Sequence, residues 1–154
     1  ELCRSLSDIL AEEGLPGSQL ELELTESLLL EASEATRQQL HQLKQLGVQL
    51  AMDDFGTGYS SLGYLKKFPI DVIKIDRSFV RDIPHCEEDM EIIAAVIAMA
   101  HKLRLQVVAE GIEDRQQLAF LRRQQCDIGQ GYLFDRPLPA DELLQRLSRY
   151  QRPV

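Results

Sequence analysis

The chain has 154 residues, of which 44% are apolar, and this composition excludes an intrinsically disordered protein. The length suits one domain with a sizeable hydrophobic core. Acidic residues outnumber basic ones 25 to 17, and the net charge of -8 argues against direct binding of DNA or RNA through phosphate neutralisation. A small phosphate-bearing substrate is still compatible with this charge if metal ions bridge it to carboxylates.

The cysteines and the hydropathy indicate a cellular compartment. Three cysteines, Cys3, Cys86 and Cys126, are odd in number and form no Cys-x-x-Cys pair, so neither a disulfide framework nor a zinc site is expected. No signal peptide is recognisable, and no apolar run approaches the roughly 18 residues of a membrane helix. We therefore expect a cytoplasmic protein in a reducing environment.

Helical and extended patterns alternate along the chain. The predicted order is helix 2–13, strand 20–25, helix 33–46, strand 48–54, short helix 60–67, strand 72–76, helix 86–103, strand 107–111, helix 115–124, strand 127–134 and helix 140–150. Such alternation predicts parallel strands joined by right-handed crossovers. A barrel and an open doubly wound sheet both fit this order.

Polar residues fall late in each predicted strand. They are Glu23, Asp53 with Asp54, Lys74 with Asp76, Glu110, and Gln130. A barrel has its chemistry at this carboxyl edge, and buried charges there need partners that a metal ion would supply. A closed barrel needs eight strands and about 250 residues. The sequence therefore predicts an α/β fold, a TIM-like (β/α) barrel that is incomplete here, with about five strands.

Two of these positions also fit a plain structural role. Asp53 and Asp54 end an apolar run and precede Gly56 and Gly58, which suggests either metal ligands beside a mobile loop or an acidic turn with an Asx-type bond. Adjacent strand residues point to opposite faces, so the two aspartates can act together only where the chain turns. Lys74 fits a salt bridge as well as a catalytic role.

With these residues in view, the sequence resembles the EAL-domain family, bacterial phosphodiesterases that linearise cyclic di-GMP. The matching segments are Glu-Leu-Thr-Glu-Ser at 23–27, Asp-Asp-Phe-Gly-Thr-Gly-Tyr-Ser-Ser-Leu at 53–62, Lys-Ile-Asp-Arg-Ser-Phe-Val at 74–80, Val-Ala-Glu-Gly-Ile-Glu at 108–113 and Gln-Gly-Tyr-Leu-Phe at 130–134. Five motifs in the same order cover nearly the whole chain. The resemblance is therefore specific, although each motif alone is weak.

The resemblance implies a role for each matching residue. Two Mg²⁺ or Mn²⁺ ions would be bound by Glu23, Asp53, Asp54 and Glu110, with Asp76 in or beside their shell. Lys74 is similar to the lysine that orients or deprotonates the attacking water, and Gln130 to a glutamine that holds water or substrate. Glu26 matches the family residue that anchors the loop from Phe55 to Ser61. Further substrate-binding or outer positions are Glu113, Phe55, Gly56, Thr57 and Gly58.

The implied reaction is two-metal hydrolysis of cyclic di-GMP to linear 5'-pGpG. The partners implied are cyclic di-GMP and a second copy in a homodimer, with upstream sensory or GGDEF modules in a parent protein that membrane anchors could tether. The substrate rests on the resemblance alone, because carboxylates specify metal-assisted phosphate chemistry and not guanine.

Two features of the family are missing from these residues. The Glu-Ala-Leu segment and an asparagine ligand of the next strand both belong upstream of Glu1. We therefore expect residues 1–154 to be the C-terminal portion of one EAL domain and to be inactive alone. Some relatives of this fold are catalytically inactive cyclic di-GMP receptors or dimerising regulatory modules, and both remain alternatives to the enzyme.

Overall fold

Five strands and the helices between them make up the described part of the chain, residues 1–30, 32–56, 65 and 67–149 of a computed structural model. The strands are β1 (Glu21–Thr25), β2 (Gln49–Phe55), β3 (Val72–Ile75), β4 (Gln106–Ala109) and β5 (Ile128–Gly129). The helices are α1 (Leu2–Glu12), α2 (Glu26–Leu30), α3 (Glu34–Gln45), α4 (Arg77–Arg81), α5 (Glu87–Lys102), α6 (Arg115–Arg123) and α7 (Ala140–Arg149). None of the helices described has the length and apolar character to span a lipid bilayer.

The strands form one parallel sheet in the same order as they occur along the chain. A doubly wound sheet would reverse its strand order at a switch point. No reversal occurs among the described strands, and described helices connect β1 to β2, β3 to β4 and β4 to β5. The prediction of parallel strands is confirmed, and the sequential order is that of a (β/α) barrel.

The two faces of the sheet are packed differently. On the outer face, strand residues such as Leu50, Ile73 and Val107 contact α3, α5 and α6 in the main hydrophobic core. On the inner face, Ala51, Val72 and Val108 form a second, small apolar layer. Alternate residues of one strand serve the two faces, which is why the strands appear as nearly continuous apolar runs.

A β-bulge in β2 carries the two adjacent aspartates. The pairing of β2 with β3 shifts between Met52 and Phe55, so β2 continues one residue beyond Asp54. Asp54 has a φ of +55°, in the left-handed region that aspartate tolerates better than most residues. The predicted strand end at Asp54 was wrong, because the inserted residue bends the strand and re-aims its side chains without ending it.

Two other predicted elements differ from the structure. The strand predicted over 127–134 is limited to β5, because the chain turns after Gly131, where the N–H of Phe134 donates to the carbonyl of Gly131 at 3.1 Å. The N–H of Leu133 donates to the carbonyl of Ile112 at 2.9 Å, which holds this turn against the segment after β4. The short helix predicted over 60–67 lies largely outside the described residues.

Asp71, at the amino end of β3, forms hydrogen bonds with two neighbouring elements, β2 and α3. Asp71 Oδ2 accepts a hydrogen bond from the backbone N–H of Leu50 at 2.8 Å and from Lys44 Nζ at 2.6 Å. Lys44 also donates to the carbonyl of Val48 at 3.0 Å. The carboxylate therefore ties the start of β2 to the end of α3, at the edge of the sheet opposite the polar residues.

The same arrangement recurs one unit later. Asp127 Oδ2 accepts from the backbone N–H of Val107 at 2.8 Å and lies 3.0 Å from His101 Nε2. The spacing from His101 to Val107 equals that from Lys44 to Leu50. The two aspartates thus act as clamps at equivalent positions in two strand-helix units, and His101 has a structural role.

Replacing Asp71 with Ala is expected to lower the free energy of unfolding by about 2 kcal/mol, because it leaves the N–H of Leu50 without its acceptor and Lys44 without its counterion. Urea unfolding measures the change. The matched control is Asp82→Ala, which removes the ion pair of Asp82 with the exposed Arg81 and should have little effect. Equal losses in the two variants would contradict the clamp.

Candidate functional site

Four neighbouring strands direct one charged side chain each toward a single point. Lys74 of β3 has a side chain only 7% exposed, and its Nζ lies 2.5 Å from Glu23 Oε1, 2.7 Å from Glu110 Oε1 and 3.5 Å from Asp53 Oδ1. Glu23 comes from β1, Asp53 from β2, and Glu110 directly follows β4. These four residues are called the Lys74 cluster, and the structure brings them together in one set of ion pairs.

The sheet register explains why these side chains meet. Glu23 lies opposite Ala51, and Lys74 lies opposite Val108, both members of the inner apolar layer. The cluster therefore projects from the inner face, at the carboxyl end of the strands and beside the apolar layer. A barrel places its active site at this end.

Electrostatics keep Lys74 charged. Burial alone lowers the pKa of a lysine, but hydrogen bonds with Glu110 and Glu23 and the charges of Glu110 and Asp53 outweigh it and raise the pKa of Lys74 well above its ordinary value. Lys74 is therefore an ammonium at neutral pH. The salt bridge anticipated as one role of this lysine is present, with three carboxylates as partners.

The cluster still has a deficit of positive charge, since three carboxylates face one ammonium. Asp53 Oδ1 is buried and accepts no hydrogen bond from any described residue. Lys74 lies between the carboxylates, however, so they are not grouped as a metal site. Among the described residues, no three His, Cys, Asp or Glu side chains are arranged to hold a metal ion. Divalent cations would fit these oxygen ligands only if they displaced the ammonium.

Asp76, predicted in or beside the metal shell, caps a helix. Its Oδ1 accepts from the backbone N–H of Ser78 at 2.9 Å, at the start of α4. Burial raises the pKa of Asp76, but the hydrogen bonds from Ser78 and the charge of Arg77 lower it below its ordinary value. The carboxylate is therefore ionised and already engaged.

The remaining predicted residues of the loop region occupy varied positions. Glu26 is buried at the first residue of α2, with 6% exposure, and Phe55 lies in the main core. Gly56 has a φ of +97°, and a Cβ there would lie 3.0 Å from the ring of Phe79. Asp54 is exposed on the bulge. Thr57 and Gly58 lie outside the described residues.

Two adjoining clefts open at the same edge of the sheet. The larger has a volume of about 410 Å³ and is lined by Asp76, Arg77, Ser78, Arg81, Gly111 and Glu113. The smaller, about 190 Å³, shares Arg77, Gly111 and Glu113 with the first and reaches Glu110, Gln130, Gly131 and Tyr132. Glu113 and Gln130 therefore lie at the cleft, as their predicted roles require. Arg77 was not among the predicted site residues, although it directly follows the Lys-Ile-Asp segment.

Several known proteins are similar to this chain in sequence and in fold. The cyclic di-GMP phosphodiesterase NbdA of Pseudomonas aeruginosa is 54% identical over 142 residues, which are 92% of this chain and 18% of NbdA. The chain thus spans less than a fifth of that relative. The structure of the EAL domain of Mycobacterium smegmatis DcpA matches with a TM-score of 0.91 and 42% identity, over 98% of this chain and 68% of that one.

A third relative was solved with a metal and a nucleotide. The complex of Klebsiella pneumoniae BlrP1 with manganese and cyclic di-GMP matches with a TM-score of 0.80 and 38% identity, over 86% of this chain and 34% of that one. These likenesses and the sequential parallel sheet confirm an incomplete TIM-like barrel of the EAL type. A family model described as EAL domain matches residues 1–137. This chain belongs to the EAL domain family.

Proposed function

We propose that this chain is the C-terminal portion of an EAL domain that hydrolyses cyclic di-GMP to linear 5'-pGpG with the help of two divalent cations. The convergence of Glu23, Asp53 and Glu110 on Lys74, at the carboxyl edge of a parallel sheet, carries the proposal. The substrate is supported by the relatives, since NbdA is named a cyclic di-GMP phosphodiesterase and the BlrP1 complex contains cyclic di-GMP.

Oxygen ligands suit Mg²⁺ and Mn²⁺, and manganese is present in the BlrP1 complex. The residues that would hold the two cations are Glu23, Asp53, Asp54 and Glu110, with Asp76 in or beside their shell. Asp53 Oδ1 supports the assignment most directly, because this oxygen is buried and accepts no hydrogen bond from any described residue. When bound, the cations would activate water and stabilise charge on the phosphoryl oxygens.

Lys74 has two uses in this proposal. Before cations bind, it neutralises part of the charge of the three carboxylates and holds them together. In the metal-free protein those carboxylates keep the pKa of Lys74 above its ordinary value. Once the carboxylates held cations instead, Lys74 would orient or deprotonate the attacking water, the two roles that the resemblance implies.

The residues around the cluster would position the substrate. Gln130 and Glu113 line the smaller cleft beside Glu110, where an amide and a carboxylate can hold water or a ribose or base edge. Glu26, buried directly after β1, would anchor the loop that begins at Phe55. Gly56, directly after β2, has a positive φ, which glycine adopts without steric cost.

The domain is proposed to extend beyond these residues, since the chain matches 68% of the DcpA EAL domain chain. The Glu-Ala-Leu glutamate and the asparagine ligand of the family would come from that additional part. The 154-residue chain is accordingly predicted to be inactive by itself. The homodimer and the upstream sensory or GGDEF modules stay predictions.

The test is turnover of cyclic di-GMP by the parent domain in the presence of Mg²⁺ or Mn²⁺, followed by chromatography of the product. We expect linear 5'-pGpG, no turnover after removal of metal by EDTA, and none from the 154-residue chain. Tight binding of cyclic di-GMP without turnover would overturn the proposal in favour of a receptor. The pairing of Lys74 with the three carboxylates would then be the resting state of that receptor.

A further inference from the structure

The two clefts beside the Lys74 cluster are rich in carboxylates, whereas the proposed substrate carries two phosphodiester charges. Asp76, Glu110 and Glu113 all line one cleft or both. An anion that enters such a cleft needs a cation besides the catalytic metals, since like charges brought close together repel one another. The cations available in the clefts therefore decide how a phosphate can be held there.

Most cations near the clefts already have partners. Lys74 is paired with three carboxylates, and the guanidinium of Arg81 forms an ion pair with Asp82 at 2.9 Å. Arg77 is different, because it makes no ion pair within 4 Å of a carboxylate in the part of the chain that the structure describes. Arg77 is exposed and lines both clefts.

A glycine fixes the position of Arg77. Gly111 has a φ of +72°, and a Cβ at that position would lie 2.5 Å from the Cβ of Arg77 and 3.3 Å from its Cα. Only a residue without a side chain lets the start of α4 approach the segment after β4 so closely. Arg77 therefore lies directly beside Gly111, and both residues line the two clefts.

We propose that Arg77 is a substrate-positioning residue that binds a phosphate group of the dinucleotide in the cleft beside the Lys74 cluster. This inference rests on the proposed function, and it assigns a substrate-binding role to Arg77, which has no role in that proposal. A guanidinium presents two parallel N–H donors that match two phosphate oxygens, and it stays charged at every physiological pH. Arg77 would act in binding and not in the cleavage of the bond.

The test compares four forms of the parent domain: wild type, Arg77→Gln, Arg77→Lys and Arg37→Gln. For Arg77→Gln we expect KM for cyclic di-GMP to rise about 10- to 100-fold, the loss typical of one charged hydrogen-bonded pair, with kcat nearly unchanged. Arg77→Lys keeps the charge without the planar fork and should recover part of the loss. Arg37→Gln is the matched control, because Arg37 is an arginine that is paired with Glu34 and lines neither cleft, and it should keep the wild-type KM.

The outcomes separate this inference from the proposed function. If Arg77→Gln has the wild-type KM, or loses only kcat, the proposed role of Arg77 is overturned. Turnover by the wild type would still support the proposed phosphodiesterase function. If the wild type binds cyclic di-GMP without turnover, the dissociation constants of the same four forms replace KM, and equal values overturn the role. A wild type that neither binds nor hydrolyses cyclic di-GMP overturns both. Thermal unfolding midpoints confirm that each variant is folded.

Discussion

Replacing Asp53 with Asn in the parent domain is expected to reduce turnover of cyclic di-GMP at least about a hundredfold, because loss of a direct metal ligand costs more than loss of its supporting contacts. Asp53 lies on the bulge of β2, and its Oδ1 is buried 3.5 Å from the ammonium of Lys74. The asparagine amide has nearly the same shape but no charge, so it is a poorer ligand for a divalent cation. Turnover is measured at saturating Mg²⁺ and substrate.

The control for this prediction is Asp82→Asn. Asp82 is an exposed aspartate whose carboxylate pairs with Arg81, outside the Lys74 cluster. This variant loses the same formal charge and should keep wild-type turnover. Wild-type turnover in Asp53→Asn would contradict the assignment of Asp53 as a metal ligand, and equal losses in the two variants would indicate a general effect of charge.

Replacing Lys74 with Met is expected to lower the free energy of unfolding of the metal-free protein by about 3 kcal/mol, because three carboxylates would face one another without their counterion. The lower end of the usual range applies, since the Glu23 side chain is 49% exposed. Addition of Mn²⁺ should then stabilise the variant more than the wild type, because no ammonium competes for the carboxylates. Urea unfolding with and without Mn²⁺ measures both effects.

Lys102→Met is the matched control for Lys74→Met, because Lys102 is an exposed lysine at the end of α5. Lys102→Met should be nearly as stable as the wild type, and Mn²⁺ should raise the free energy of unfolding of both proteins by the same amount. A Lys74→Met variant that is as stable as the wild type without metal would contradict the neutralising role of Lys74. An equal response of Lys74→Met and wild type to Mn²⁺ would contradict the competition between ammonium and metal.

The pH dependence of the Lys74 contribution has a defined sign. The folded-state pKa of Lys74 is raised, so its stabilisation is fully present below the unfolded-state pKa of about 10.4. It is lost only as the pH rises through the folded-state pKa. The difference in unfolding free energy between wild type and Lys74→Met should therefore stay constant from near-neutral pH up to about pH 9.

Much of the fold could be predicted from the sequence because strand and helix periods are distinct. The alternation from Leu20 to Thr25 and the β-branched segment Val72–Ile75, which contains Lys74, fall on β1 and β3. The predicted strand over 127–134 was mostly wrong, although Tyr132, Leu133 and Phe134 form an apolar run like that of a buried strand. The contacts of Gly131 and Leu133 with Ile112, which lies far away in sequence, turn the chain there. Local periodicity carries no signal for such a contact.

The candidate site was predicted from position and not from contact. Parallel strands bring their carboxyl ends to one edge, so Glu23, Asp53 and Glu110 could be grouped from their places in the sequence alone. The bulge at Asp54 could not be foreseen, since its cause is the pairing of β2 with β3. The helix cap made by Asp76 had a local signal that was overlooked, an aspartate directly before a short helical pattern.

The clamps of Asp71 and Asp127 were also missed. Both aspartates directly precede a strand, but each bonds to the strand before it in the chain, so the partner is not apparent locally. The equal spacing from Lys44 to Leu50 and from His101 to Val107 is the signal that could have identified them. Such repeated spacings are informative because successive strand-helix units of a barrel share one geometry.

A Mn²⁺ titration of the parent domain, read by the electron paramagnetic resonance signal of free Mn²⁺, tests the central claim most directly, because it reports metal binding by the Lys74 cluster without requiring turnover. We predict two bound Mn²⁺ ions per wild-type domain and weaker or incomplete binding by Asp53→Asn. Absence of Mn²⁺ binding by the wild type, or unchanged stoichiometry and affinity in Asp53→Asn, would contradict the claim that these carboxylates form the metal centre of a phosphodiesterase.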